Sequence, residues 1–155
     1  VSQSRSQAEY EATIYRFDDG RVGFPSVAFK SAVASAAATL VAGITGTFIR
    51  KSMHIIGELV EIHGEPYMRE DMVRLGGMSN PADIRYRAGF KDWWCELAIE
   101  HDPNVLSVEQ LVALVELAGY SVGVGENRPE KSGNVFGRFR VADTDEAEKL
   151  LSSVS

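Results

Sequence analysis

The sequence holds a single cysteine, Cys95, among 155 residues. A disulfide within the chain and a cysteine-based zinc site are both excluded by that count. Cys95 stands in the apolar run Trp93-Trp94-Cys95-Glu96-Leu97, which reads as the place of a small buried hydrophobe. No run of about 18 apolar residues occurs, so no segment reads as a membrane-spanning helix. Val1 to Gln7 is polar and does not open like a secretion signal. A cytoplasmic location is the expectation. The three histidines, His54, His63 and His101, are scattered, with no pair at metal-ligand spacing. Neither a metal nor a cofactor is therefore expected. Gly123-x-Gly125-x-x-Arg128 lacks the third glycine and the following helix of a dinucleotide fingerprint. His101-Asp102 reads as a turn rather than a general-base pair, and no catalytic residue is assigned. No internal repeat is evident.

What remains is an ordinary globular composition, 45% apolar and 25% charged. The length fits one domain, taken as residues 8–155 with 1–7 frayed. The net charge of −6 argues against nucleic-acid binding over the whole surface. It leaves room for a local basic patch. The acids gather near the ends, in Glu9, Glu11, Asp18 and Asp19 and again in Asp143, Asp145, Glu146 and Glu148. Between them lie Arg85, Arg87 and Lys91, then Arg128, Lys131, Arg138 and Arg140.

Along the chain, Asp19-Gly20 between apolar residues predicts a tight turn. Pro25 stops the strand around Val22 and Phe24, and Ser26 opens a helix carrying Phe29, Val33, Ala36 and Ala37. Residues 44–62 are ambiguous between a short helix and a strand. Residues 63–92, with His63-Gly64-Glu65-Pro66, Gly76-Gly77 and Asn80-Pro81, read as loop with short embedded strands. Trp93 to Ile99 alternates with period two and predicts a half-buried strand. Ser107 with Gln110 forms a capping box, and Gly119 is expected to end the helix that follows. Tyr120–Val124 and Phe136–Val141 read as strands, and Asp143 or Thr144 caps a last helix with Leu150 and Leu151 inside. The expected class is α+β. The arrangement is ferredoxin-like (modified RNA-recognition-type), an antiparallel sheet with helices packed on one face.

Two segments carry chemistry. In the first, five glycines fall between Gly119 and Gly137. Gly123, Gly125 and Gly137 would let another backbone approach closely. Arg128, Lys131 and Arg138 supply cations beside them, and guanidinium forks with exposed N–H groups suit phosphate oxygens. The competing reading is a hairpin loop with solvated arginines. The second segment, Arg85-Tyr86-Arg87-x-x-Phe90-Lys91-x-Trp93-Trp94, interleaves cations with aromatics, as single-strand binders do. Here Tyr86 or Trp94 is the expected stacking platform. The competing reading is a loop leading into a core strand. On a strand, Trp93 and Trp94 face opposite sides.

Gly123-x-Gly125-x-x-Arg128-Pro129-Glu130 followed by Phe136-Gly137-Arg138-Phe139-x-Val141, after a Leu-rich helix ending in Ala118-Gly119, resembles a family of small uncharacterised phage and prophage proteins. Asp18-Asp19-Gly20-Arg21-Val22-Gly23-Phe24-Pro25 is similar to that family's Asp-Gly-x-x-x-Ile-Pro opening. Ile84-Arg85-Tyr86-Arg87-Ala88-Gly89-Phe90-x-x-Trp93 is similar to its Arg-Tyr-Arg-Pro-x-Phe-x-x-Trp block. Ala88 stands where a proline is usual and Asn127 where an aromatic is common, and neither departure removes a cation. The likeness covers roughly residues 8–141. More distantly, the layout resembles the repeat-associated RNA-binding proteins that coat guide RNA in multisubunit CRISPR effectors. That resemblance implies the ferredoxin-like fold, nucleic-acid coating and self-association, as analogy at the level of fold. RNA-cutting relatives use a histidine base, and no histidine lies in the two segments, so cleavage is not implied.

These readings combine into one expectation. The chain is a non-enzymatic, phage-type protein that binds single-stranded nucleic acid or a nucleoprotein complex and forms a homo-oligomer. The expected contacts are Arg85, Tyr86, Arg87, Lys91, Trp94, Arg128, Lys131 and Arg138, with Gly123, Gly125 and Gly137. An assembly protein without nucleic-acid affinity, and an inhibitor or mimic of a host defence complex, are the alternatives.

Overall fold

In a computed structural model of the protein, residues 3–74, 82–125, 128–132 and 136–154 are described. The class is α+β, with antiparallel pairing throughout the described strands. The chain divides into two compact units, each assembled from two separate stretches. One takes Val1–Pro25 with Gly57–Leu97, the other Ser26–Ile56 with Ala98–Ser155.

The first unit opens with α1 (Gln3–Ala12), so residues 3–7, expected to be frayed, are its first turns. The short strands β1 (Tyr15–Arg16) and β2 (Val22–Pro25) follow. The Asp-Gly turn forms between them as the sequence predicts. Gly20 takes φ +91°, and the Arg21 N–H donates to Asp19 Oδ1 at 3.1 Å. In the second unit α2 (Ser26–Leu40) begins directly after Pro25. Its Ala32, Val33, Ala34, Ala36 and Ala37 are buried. Small side chains on that stripe let α4 (Val108–Ser121) approach closely, with Leu111, Leu114, Val115 and Ala118 facing the same core. Burying each of those leucines stabilises the unit by roughly 1.5–3 kcal/mol.

The ambiguous stretch resolves into both of its options. A short helix α3 (Gly46–Ser52), capped by Thr45, runs into β3 (Met53–Ile55), and β4 (Leu59–Glu61) joins β2. The largest departure is at residues 63–92, read from the sequence as mostly loop. Residues 63–74 and 82–92 belong to a long antiparallel pair of β5 (His63–Arg74) and β6 (Ala82–Trp94), and Gly76-Gly77 and Asn80-Pro81 lie outside the described residues. Pro66 had argued for a loop. Yet the N–H groups of Tyr86 and Ala88 point away from β5, so Phe90, two residues on, does too. Its register partner Pro66 thus turns its nitrogen outward, where no ladder bond is lost.

Three other expectations are corrected. The predicted strand Trp93–Ile99 is split: β6 ends at Trp94, and β7 (Ile99–His101) pairs with β3. Gly119 does not end α4. The helix continues through Tyr120 and Ser121, because Gly123 just beyond it takes the left-handed conformation, φ +72°, and donates to Ala118 O at 2.8 Å. Residues 120–124 are therefore helix end rather than strand. Phe136–Val141 forms no ladder. It runs over the end of α4 on two backbone bonds, Val124 N–H to Gly137 O at 3.0 Å and Phe139 N–H to Gly119 O at 3.1 Å. The strands thus form three small sheets, β1-β2-β4, β3-β7 and β5-β6, rather than one. One turn of helix, α5 (Pro129–Ser132), lies in the expected loop. The last helix, α6 (Thr144–Ser153), is capped by Asp143 in a capping box with Glu146, as expected. Leu150 and Leu151 were expected inside, but no residue of α6 is buried.

Candidate functional site

The β5–β6 hairpin turns one strand pair into a long two-faced ribbon. Twelve and thirteen residues at about 3.4 Å each make it roughly 40 Å long. Its outer β6 edge is capped by α1, where Glu9 Oε2 accepts from the Tyr86 N–H at 3.3 Å and Thr13 Oγ1 from the Ala88 N–H at 2.9 Å. Such a cover keeps an edge from pairing with other chains.

Side chains alternate between the two faces, and residues opposite one another in register share a face. Glu65 stands opposite Lys91, Tyr67 opposite Gly89, Arg69 opposite Arg87, and Asp71 opposite Arg85. The register positions of one face therefore hold Arg69, Arg85, Arg87 and Lys91 together with Glu65, Asp71 and Asp83. Arg69 and Arg87 stand opposite each other in the middle of the ladder. Gly89 leaves the space into which the Tyr67 ring folds. A Cβ there would meet the Tyr67 hydroxyl at 2.7 Å. Lys91 Nζ lies 5.3 Å from the centre of that ring.

The structure thus brings together three of the expected contacts, Arg85, Arg87 and Lys91, and adds Tyr67 and Arg69 from β5. Tyr86 belongs to the other face, in register with Glu70 and beside Ala88. Trp94 lies past a bulge at Gly64 and Asp92, where Asp92 takes φ +49°. There its ring stacks on His63, centroids 4.1 Å apart and planes at 17°. His63 Nε2 lies 4.0 Å from Glu61 Oε2, and Glu61 accepts from Arg21 at 3.0 Å. Asp19 binds Arg21 at 2.7 Å, and the Arg21 backbone N–H together with that guanidinium holds the Asp19 carboxyl below its usual range. The Trp94 ring is therefore engaged within its own unit.

The glycine-rich segment lies in the second unit, and much of its chemistry is spent there. A Cβ on Gly137 would overlap the Val124 carbonyl, and one on Gly123 would stand 2.8 Å from Pro129 Cδ. The expected close approach of backbones occurs, and the approaching backbone is the chain's own. Gly125, at φ +92°, has open space around it. Arg128 Nη1 donates to Gly125 O at 3.0 Å, and its Nε lies 4.0 Å from Glu130. Arg138 lies over the Tyr120 ring at 4.4 Å. Arg140 binds Glu146 with both terminal nitrogens, and this guanidinium, with the Asp143 N–H, lowers the Glu146 carboxyl from 4.5 to about 2. Lys131 is carried on α5. Asn127 lies outside the described residues.

The histidines stay apart. Lys30 Nζ meets His54 Nδ1 at 3.0 Å, and His101 Nδ1 meets Leu106 O at 2.8 Å. Among the described residues no three His, Cys, Asp or Glu side chains gather as a metal site. Cys95 is half-buried, and burial pushes its thiol up to about 11, away from the reactive thiolate. No helix among the described residues is long and apolar enough to cross a membrane. No protein-family model matches the chain, and neither curated proteins nor solved structures match it.

Tyr67 and Arg69 were missed because the stretch around them read as loop. A signal was present. Tyr67-Met68-Arg69 alternates with the same period as Arg85-Tyr86-Arg87-Ala88-Gly89, and antiparallel pairing of the two places ring over glycine and guanidinium beside guanidinium.

Proposed function

We propose that this chain binds single-stranded nucleic acid, alone or within a nucleoprotein complex, through the cationic face of the β5–β6 ribbon, and that it self-associates. The observation that carries the reading is the register of Arg69 with Arg87, flanked by Arg85 and Lys91 on one face. An anionic polymer gains at such a row of cations, because each phosphate engaged releases counterions. Tyr67, folded over Gly89, gives the face an aromatic surface next to its cations, the combination that holds single strands. Arg128, Lys131 and Arg138 belong to the proposal as secondary contacts. A phage-type role, and the likeness to guide-RNA-coating proteins, remain part of the same reading. The ferredoxin-like fold of those proteins is part of that proposal, with α2 and α4 packed together in the second unit.

Size-exclusion chromatography with light scattering, run with a labelled single-stranded oligonucleotide, tests the reading. The expected result is co-elution at about 50 mM salt that is lost at about 200 mM. An oligonucleotide that elutes alone at both salts overturns it, and would favour an assembly protein without nucleic-acid affinity.

A further inference from the structure

Helix α6 is strongly amphipathic. Ala147, Leu150, Leu151 and Val154 fall at i, i+3, i+4 and i+7, one stripe within about 100° of helix surface. Yet none of them is buried: Leu151 is 42% and Val154 53% exposed. A stripe of this regularity on a helix held by two caps and an Arg140–Glu146 pair is made for a partner.

We infer that α6 docks on a second copy of this chain, against the exposed face of α3. Charge complementarity selects that site. Glu148 borders the apolar stripe of α6 on one side and Glu146, tied to Arg140, on the other, while Asp145 and Lys149 stand on the opposite face. Residues 26–56 carry Lys30, Arg50 and Lys51 and no carboxylate. On α3, Phe48 and Lys51 stand three residues apart on one exposed face, and Phe48 is 39% exposed. Leu151 and Val154 would pack on Phe48 while Glu148 meets Lys51. The exposed valines of α4, Val108 and Val112, offer more apolar surface. Glu109 and Glu116 border them, however, and would face the acids of α6. Because α6 and α3 are different patches of one chain, the contact is either made twice, reciprocally, in a closed twofold dimer or repeated head-to-tail in rings or chains. A single short helix buries on the order of 1,000 Å² in total, the low end for a specific interface, so association depends on concentration.

This inference rests on the self-association in the function proposed above and is independent of nucleic-acid binding. Light scattering over a concentration series, without nucleic acid, tests it. Wild type is expected to grow in mass with concentration, less at high salt. Leu151→Asp with Val154→Asp should raise the dissociation constant about tenfold or more, or 1.4 kcal/mol. Lys51→Glu alone and Glu148→Lys alone should each weaken association, and the two together in one chain should restore it. The substituted side chains are exposed, so the circular dichroism of each variant should match wild type. Association that survives the α6 substitutions, a failed charge-swap rescue, or loss on Val108→Asp with Val112→Asp but not on Lys51→Glu overturns the α6–α3 contact alone. A wild type that stays monomeric at every concentration overturns it together with self-association, leaving nucleic-acid binding to its own test.

Discussion

Arg69→Glu is expected to weaken single-strand binding on the order of 100-fold at low salt, about 2.8 kcal/mol. In the ladder Arg69 stands opposite Arg87. The substitution removes a phosphate contact, places a carboxylate against the strand and sets an opposite charge across from Arg87. Fluorescence anisotropy with a labelled single strand measures the loss, and thermal melts on the same samples show whether the ribbon is kept. A drop in stability with unchanged affinity would mean that the arginine pair serves the fold.

The largest effect on stability is expected from Gly137→Ala. The backbone there has φ +76°, and the new Cβ would overlap the carbonyl oxygen of Val124, a backbone atom that cannot rotate aside. Relief requires breaking the Val124–Gly137 bond and displacing Phe139, whose ring packs 5.7 Å from that of buried Phe29. A loss of about 3 kcal/mol follows from backbone strain together with lost packing, lowering the melting temperature by roughly 6–12 °C for a chain of this size. Gly125→Ala is the matched control. It has the same sign of φ, at +92°, but open space around it, so only the conformational cost of about 1–2 kcal/mol remains. If both variants melt alike, the close backbone approach at Gly137 does not hold the segment in place.

The sequence made the capped helices legible because their signals are local. Ser107 with Gln110, and Asp143 with Glu146, each satisfy helix N–H groups three residues away. The Asp19-Gly20 turn is local in the same way. The ribbon was hidden by Pro66, whose meaning depends on which strand edge it occupies, and by Gly76-Gly77 and Asn80-Pro81, which read as loop signals. Gly119 misled for a related reason. It is buried where the Phe139 backbone crosses α4, a contact between residues twenty positions apart, so its small size serves packing rather than a helix end. Cations were legible as a cluster, but their sharing of one face was not, because register is fixed by pairing rather than by spacing. Conversely, Gly123 and Gly137 read as possible ligand contacts, and the chain's own atoms stand against them, Pro129 and the Gly137 carbonyl at Gly123 and the Val124 carbonyl at Gly137.

The central claim is that the ribbon face, rather than the glycine-rich segment, holds the strand. Its most direct test is the slope of log affinity against log salt for wild type, for Arg85→Ala with Arg87→Ala, and for Arg128→Ala with Arg138→Ala. Four ribbon cations on a single strand predict a wild-type slope of about −2.8, falling to about −1.4 when two are removed from the ribbon. The second double variant, which removes only secondary contacts, should flatten the slope by less. A slope that flattens only when Arg128 and Arg138 are removed, and is unmoved by loss of Arg85 and Arg87, would contradict the account.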